Sequence, residues 1–133
     1  MALPSVGGGF QIGDGNRNEI FLSEMSDPQT ATATATLTAA QITGSLLVAN
    51  PSTSAASYTL PTAASVDSVL TNAKIGSTFD LSIINLGTSS GALTIVAGTG
   101  WTLVGSATVA VTSSAQFLAY KTGDAAYTMY RVS

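Results

Sequence analysis

Seven carboxylates and four bases are all the charged side chains of this 133-residue chain, which has neither histidine nor cysteine. Imidazole acid–base chemistry, thiolate nucleophiles, disulfides, and zinc or haem ligation by these residues are therefore excluded. Carboxylate chemistry is what remains. A glycosidase needs two carboxyl groups at a suitable separation, but Asp14, Glu19, Glu24 and Asp27 crowd the N-terminal stretch, while Asp67, Asp80 and Asp124 stand apart in strand or turn contexts. Asp80 sits inside a strand between Phe79 and Leu81, where a salt bridge to Lys or Arg accounts for it. Asp14-x-Asn16, with Glu19 and Asp27, resembles the opening of a calcium loop, yet the rest of the EF-hand pattern is missing and an exposed polar arm describes it better. Gly7-Gly8-Gly9 and Gly13-Asp14-Gly15 lack the preceding strand, following helix and registered Lys or Ser/Thr of a phosphate cradle, so they read as turns. Trp101 and the four tyrosines could line a sugar platform, but a lone Trp between Gly100 and Thr102 reads as core. The expectation is a protein that is not an enzyme, with no metal and no cofactor.

Positioning these residues falls to a chain of two unlike parts. Residues 1–29 hold four of the acids with Arg17 as the only base, and after them three acids balance three bases, Lys74, Lys121 and Arg131. Glycine and turn residues dominate this stretch, but Leu3, Val6, Phe10, Ile12, Ile20, Phe21, Leu22 and Met25 recur through it. The pattern predicts an extended arm with little core of its own that docks on something else, and Phe10, Ile12, Ile20, Phe21 and Leu22 are its expected partner-binding anchors.

Residues 30–133 read as a β-rich domain. Thr30 to Thr36 alternates Thr and Ala, placing Thr on one face of a strand and Ala on the other. A helical turn over Leu37 to Thr43 is followed by strands at Ser45–Ala49 and Ser57–Leu60. Residues 62–73 carry the one convincing helix, with Thr62 as cap and Val66, Val69, Leu70 and Ala73 at helical spacing. Beyond it lie strands at Thr78–Leu86, Leu93–Ala97, Thr102–Val104, Thr108–Thr112, Ala115–Lys121 and Ala126–Val132, separated by Gly and Ser breaks. Short strands at this spacing predict an all-β fold, a small β-sandwich or barrel with jelly-roll-like connectivity, one short helix and the N-terminal arm. Tyr58, Phe79, Ile83, Ile95, Trp101, Phe117, Tyr127 and Tyr130 are the predicted core.

Only 8% of residues are charged and 45% are hydrophobic, against roughly 25% charged in an ordinary soluble domain. Mean hydropathy is +0.38, the opposite of the disorder signature. So neutral a surface is easiest to understand if partners cover much of it. A net charge of −3 gives no basic footprint for nucleic acid, and no run approaches the ~18 apolar residues of a membrane helix. Met1-Ala2-Leu3-Pro4-Ser5 has neither a basic n-region nor an apolar h-region, so synthesis and retention in a cytoplasm are expected. The Thr ladder is the kind of surface ice-binding proteins present, but one row is too little. An edge strand pairing with a neighbouring subunit is the better reading.

Three stretches together resemble small bacteriophage virion proteins of the head decoration, or cement, type. They are Gln11-Ile12-Gly13-Asp14-Gly15-Asn16, then Tyr58-Thr59-Leu60-Pro61 through the helix to Thr78-Phe79-Asp80-Leu81-Ser82-Ile83-Ile84-Asn85, and Ala97-Gly98-Thr99-Gly100-Trp101-Thr102-Leu103-Val104-Gly105. The resemblance implies a homo-oligomer, commonly a trimer, on the capsid exterior, made in a bacterial host cytoplasm and clamping the major capsid protein. It brings no catalytic residue. The alternative is a tail fibre, spike or knob module that binds a host receptor or glycan.

Overall fold

The computed structural model describes Leu22 and residues 24–133. Among the described residues the fold is β-rich, with two sheets and two short helices, and neither sheet closes into a barrel. In chain order the elements are β1 (Gln29–Ala31), β2 (Ala35–Thr36), α1 (Ala39–Thr43), β3 (Leu46–Ala49), β4 (Ala56–Thr59), α2 (Ala63–Val69), β5 (Thr78–Asn85), β6 (Leu93–Val96), β7 (Trp101–Val104), β8 (Thr108–Val109), β9 (Ser113–Gly123) and β10 (Ala126–Arg131). A six-stranded sheet has the order β1-β3-β5-β9-β10-β7, and a four-stranded sheet the order β2-β4-β6-β8.

The chain alternates between the sheets over its first six strands. Each return lays the new strand beside, and in the same direction as, the one before, so β1, β3 and β5 are parallel, as are β2, β4 and β6. A jelly roll is built from antiparallel strands. Here antiparallel pairing is confined to β5–β9, β9–β10 and β6–β8. Two of the coils share a local design. Thr36-Leu37-Thr38-Ala39-Ala40 leads into α1 and Thr59-Leu60-Pro61-Thr62-Ala63-Ala64 into α2, with Thr36 and Thr59 paired in register. Thr38 and Thr62 are the N-caps, accepting from Gln41 N at 3.2 Å and Ser65 N at 3.2 Å, and Gln41 completes a capping box through Thr38 N. Leu37 and Leu60 are buried at matching places, as are Ile42 and Val66.

The helical turn at residues 37–43 is therefore a second helix beside the expected one. α2 stops at Val69, short of the expected Ala73, because Leu70 leaves helical geometry at ψ 65°. The Thr/Ala run is not one strand. It bends at Ala33 and Thr34 to pass from the six-stranded sheet to the four-stranded one, and its two pieces form one edge of each. The corner is pinned by Tyr58 Oη donating to Thr32 O at 2.8 Å and by Ser57 N donating to Thr34 Oγ1 at 3.1 Å.

Period-two alternation puts Leu47, Ala49, Leu81, Ile83, Phe117, Ala119, Tyr127 and Met129 on the inward face of the larger sheet, against Tyr58, Leu93, Ile95 and Val109 of the smaller one. The helices extend the second layer, adding Ile42, Ala63 and Val66. Of the predicted core, Phe79 is half-buried and Tyr130 faces out at 37% exposure. Tyr127 and Tyr130 are three residues apart in one strand, and a period of two cannot turn both inward. Gly100, at φ +87°, starts β7 where a Cβ would meet the carbonyl oxygen of Ala125.

Candidate interaction surface

Phe10, Ile12, Ile20 and Phe21 lie outside the described residues, as do Asp14, Asn16, Glu19 and the glycine turns at 7–9 and 13–15. Of the expected anchors only Leu22 is described, and it is 90% exposed. Met25 nearby is also exposed. Among the described residues no three His, Cys, Asp or Glu side chains converge to hold a metal ion, and no helix is long and apolar enough to cross a membrane.

The chemistry that looked scattered in sequence converges at one end of the core. Asp67, on α2, accepts from Lys121 Nζ at 2.7 Å, Tyr127 Oη at 2.6 Å and Ala125 N at 2.7 Å. The hydrogen bonds from Lys121, Tyr127 and the Ala125 amide, with the charge of Lys121 besides, hold its carboxyl down at about 2. Burial, and the Asp67 carboxylate beside it, push the Tyr127 phenol up. A carboxylate so fully engaged has little capacity left to take a proton from a substrate, and its geometry ties α2 to the β9–β10 hairpin. Trp101 is 7% exposed, stacked on Tyr127 at 5.0 Å, and donates from Nε1 to Pro61 O at 2.8 Å. It is core, as its sequence setting suggested. Beside this cluster a groove of about 330 Å³ opens between the end of α2 and the start of β5, lined by Leu70, Asn72, Ala73, Ser77, Phe79 and Tyr127 among others.

The two outward sheet faces differ in chemistry. Strand register places Ser57, Thr94 and Thr108 in one row across the four-stranded sheet, and Thr36, Thr59 and Val96 in the next. The Thr94 and Thr108 hydroxyls approach to 3.4 Å. This face is a hydroxyl array with a single aliphatic.

On the six-stranded sheet the register aligns Asp80, Leu118, Tyr130 and Val104 in one row, Thr78, Tyr120, Thr128 and Thr102 in a second, and Val48, Ile84 and Ser114 in a third. All of these side chains are exposed or half-exposed, and Asp80 is the only charge among them. Among the described residues Asp80 makes no salt bridge, so the expected partner is not found; the ion pair is Asp67–Lys121 instead. Sequence reasoning missed this face. The signal for it was present in the alternation of 113–123, whose even-numbered members (Gln116, Leu118, Tyr120) point out together.

No protein-family model, no curated protein and no solved structure matches this chain.

Proposed function

We propose that the chain is a phage capsid decoration (cement) protein that binds the outer surface of the head as an oligomer, commonly a trimer in the proteins it resembles, and stabilises the shell. The observation that supports it most is the outward face of the six-stranded sheet, where aliphatic and aromatic side chains mix with Ser, Thr and Gln and Asp80 is the one charge, on a chain with only 8% charged residues. Covering the apolar part of such a face is favourable by about 25 cal/mol per Å². The partner would be the major capsid protein, and the place of action the virion exterior. Stabilisation would follow from linkage, since a ligand that binds only the mature shell favours that state. We also read the two layers as a sandwich, because side chains of both sheets join one buried cluster.

The test is co-sedimentation of purified chain with heads of its own phage lacking it, followed by heating the heads with and without bound chain. Saturable binding and a raised disruption temperature are expected. Heads that neither bind the chain nor change in stability would end the proposal.

The groove beside α2 favours a second reading, a fibre, spike or knob module that binds a glycan. Phe79, half-buried, offers it aromatic surface above the buried Tyr127, and Asn72 and Ser77 a polar rim, the mixture sugars use. A glycan array, with Trp101 fluorescence followed on adding a hit, tests it, because Trp101 stacks on Tyr127.

A further inference from the structure

We infer that the arm of a second copy of this chain adds to β5 as a strand, with Arg17 beside Asp80 and Ile20 in the groove next to α2. β5 runs from Thr78 to Asn85, and β9 pairs with all eight of its residues, whereas β3 pairs only with Ser82–Asn85. One flank of residues 78–81 is therefore bare. Ser82 N donates to Ser45 O on the β3 side, and Lys121 N to Ser77 O on the β9 side, so the even-numbered residues of β5 address β3. The amides and carbonyls of Thr78 and Asp80 point to where β3 has not yet begun, and they meet no hydrogen-bond partner among the described residues. A bare edge of this kind accepts an added strand, with main-chain bonds for affinity and a side-chain pocket for specificity. The pocket is beside it, in the groove of about 330 Å³ walled by Leu70, Ala73, Ser77 and Phe79 among others.

The arm fits both the edge and the pocket. Arg17 is its only base, and Ile20 follows three residues later. Residues three apart in a strand turn to opposite faces. Asp80 is exposed on the outward face, and its neighbour Phe79 turns in to the groove. An antiparallel strand with Arg17 opposite Asp80 sets Glu19 opposite Thr78 and turns Ile20 inward, opposite Ser77. A parallel strand in that register would run into β3 from Ser82 onwards. Asp80 thereby gains a cation that no other described side chain offers it.

The donor is a second copy rather than the chain itself. Extending the β1–β3–β5 register back from Gln29 puts Ser26 level with Gly44 and Asp80, and Ser26 Oγ lies 2.9 Å from where a Gly44 Cβ would stand. The chain is thus already level with Asp80 at Ser26, in the column of β1. Further back it leaves the sheet, with Leu22 90% exposed. Each copy gives one arm and receives one, a heterologous contact that forms a ring where the rotation closes. This goes beyond the decoration reading and does not depend on a shell.

The chain has no cysteine, so introduced thiols report contacts without background. Copies carrying Ile20→Cys are mixed with copies carrying Ala73→Cys and oxidised. Native mass is measured by light scattering for the full-length parent, Asp80→Arg, Arg17→Asp and the two reversals combined, after thermal melting has shown each to be folded. The parent should be an oligomer, and the cysteine copies should form disulfide-linked pairs. Either charge reversal should weaken association about tenfold, and the combined variant should recover to within about threefold of the parent. Ile20→Asp, confined to the arm, should weaken it as well and keeps the test open if Asp80→Arg fails to fold. A monomeric parent overturns the exchange, and saturable head binding by that monomer would leave the decoration reading in place. An oligomer that the charge reversals leave intact overturns it too. So does an internal disulfide in a chain carrying both cysteines with no linked pairs in the mixture, which assigns the edge to the chain's own arm.

Discussion

At the Asn85 end of the six-stranded sheet an amide holds the second layer, and at the Lys121 end of the same inward face an ion pair does. Asn85 is fully buried. Its Nδ2 donates to the carbonyls of Gly91, Val109 and Ala110, each at 3.0 Å, and its Oδ1 accepts from Gly87 N at 2.8 Å. One neutral side chain thus ties β5 to the loop that follows it and to the end of β8. Lys121, 6% exposed, reaches across to Asp67 on α2, with Tyr127 and the amide of Ala125 sharing the carboxylate. Between the two ends the face is apolar. Hydrophobic contact alone would let the layers slide, because it has no direction. A polar cross-link at each end fixes their register. The difference is that the amide end carries no titratable group, so only the Asp67 end responds to pH.

The largest expected effect is at the amide. Asn85→Asp turns a donor toward three carbonyls into a carboxylate, and an unfolding free energy lower by about 3 kcal/mol or more is expected from urea titration. A loss within 1 kcal/mol would mean the loop carries its own geometry. Asp67→Ala comes next. It leaves the Lys121 ammonium buried without its counter-ion, which costs about 3 kcal/mol. Here Lys121→Met made together with Asp67→Leu should recover much of that loss, since an apolar pair of similar volume needs no partner. No comparable rescue is expected at Asn85, whose partners are backbone groups that cannot be changed. Equal rescue at both ends would erase the contrast.

The end held by the amide was the more legible of the two. Thr78 to Leu86 reads as a strand, and Leu81 and Ile83 sit two apart on its inward face, which makes Asn85 the next inward position. What the alternation does not reveal is whom Asn85 meets, because Val109 and Ala110 come from a strand two dozen residues on. The strands themselves were readable almost throughout, from Leu46–Ala49 to Ala126–Arg131, since each is short, alternating and bounded by Gly, Ser or Pro. Their direction was not. Parallel return depends on the helical corners at Thr38 and Thr62, and the shared Thr-Leu lead into those corners is interrupted by Pro61, which hides the repetition. The Asp67 site was illegible for a related reason. Asp67 is more than fifty positions from both Lys121 and Tyr127, and no local spacing joins it to them. Asp80, expected in a salt bridge to Lys or Arg, is instead the charge on the open face.

Acid should separate the two ends. Asp67 titrates at about 2 in the folded chain against an ordinary 3.8. A carboxyl whose folded value is lowered lends stability that is complete above the unfolded value and disappears as pH falls through the folded one. Stability should therefore hold level above about pH 4 as far as Asp67 is concerned, and its contribution should fade between pH 4 and 2. Tyr127 acts in the opposite sense. Its folded value is raised above 10.0, so its contribution is complete below pH 10 and fades as the pH climbs toward the folded value. Hydrogen exchange at pH 3 should show the amides of Val66 and Leu70 opening before that of Gly87. The reverse order would break the comparison.

The smallest effect sharpens it. Tyr127→Phe keeps the ring on Trp101 and Phe79 and removes only the hydroxyl that donates to Asp67. The loss at neutral pH should be about 2 kcal/mol, one hydrogen bond to a charged group. The acid limb is more diagnostic. With Lys121 and the Ala125 amide still in place the Asp67 carboxyl stays depressed, but less so. The stability loss on acidification should start at the same pH as in the parent, be smaller, and level off at a higher pH. The alkaline limb should flatten where Tyr127 had contributed to it. An unchanged acid limb would mean that Lys121 and the Ala125 amide set the Asp67 value without the phenol, and that the phenol packs at this end without cross-linking it.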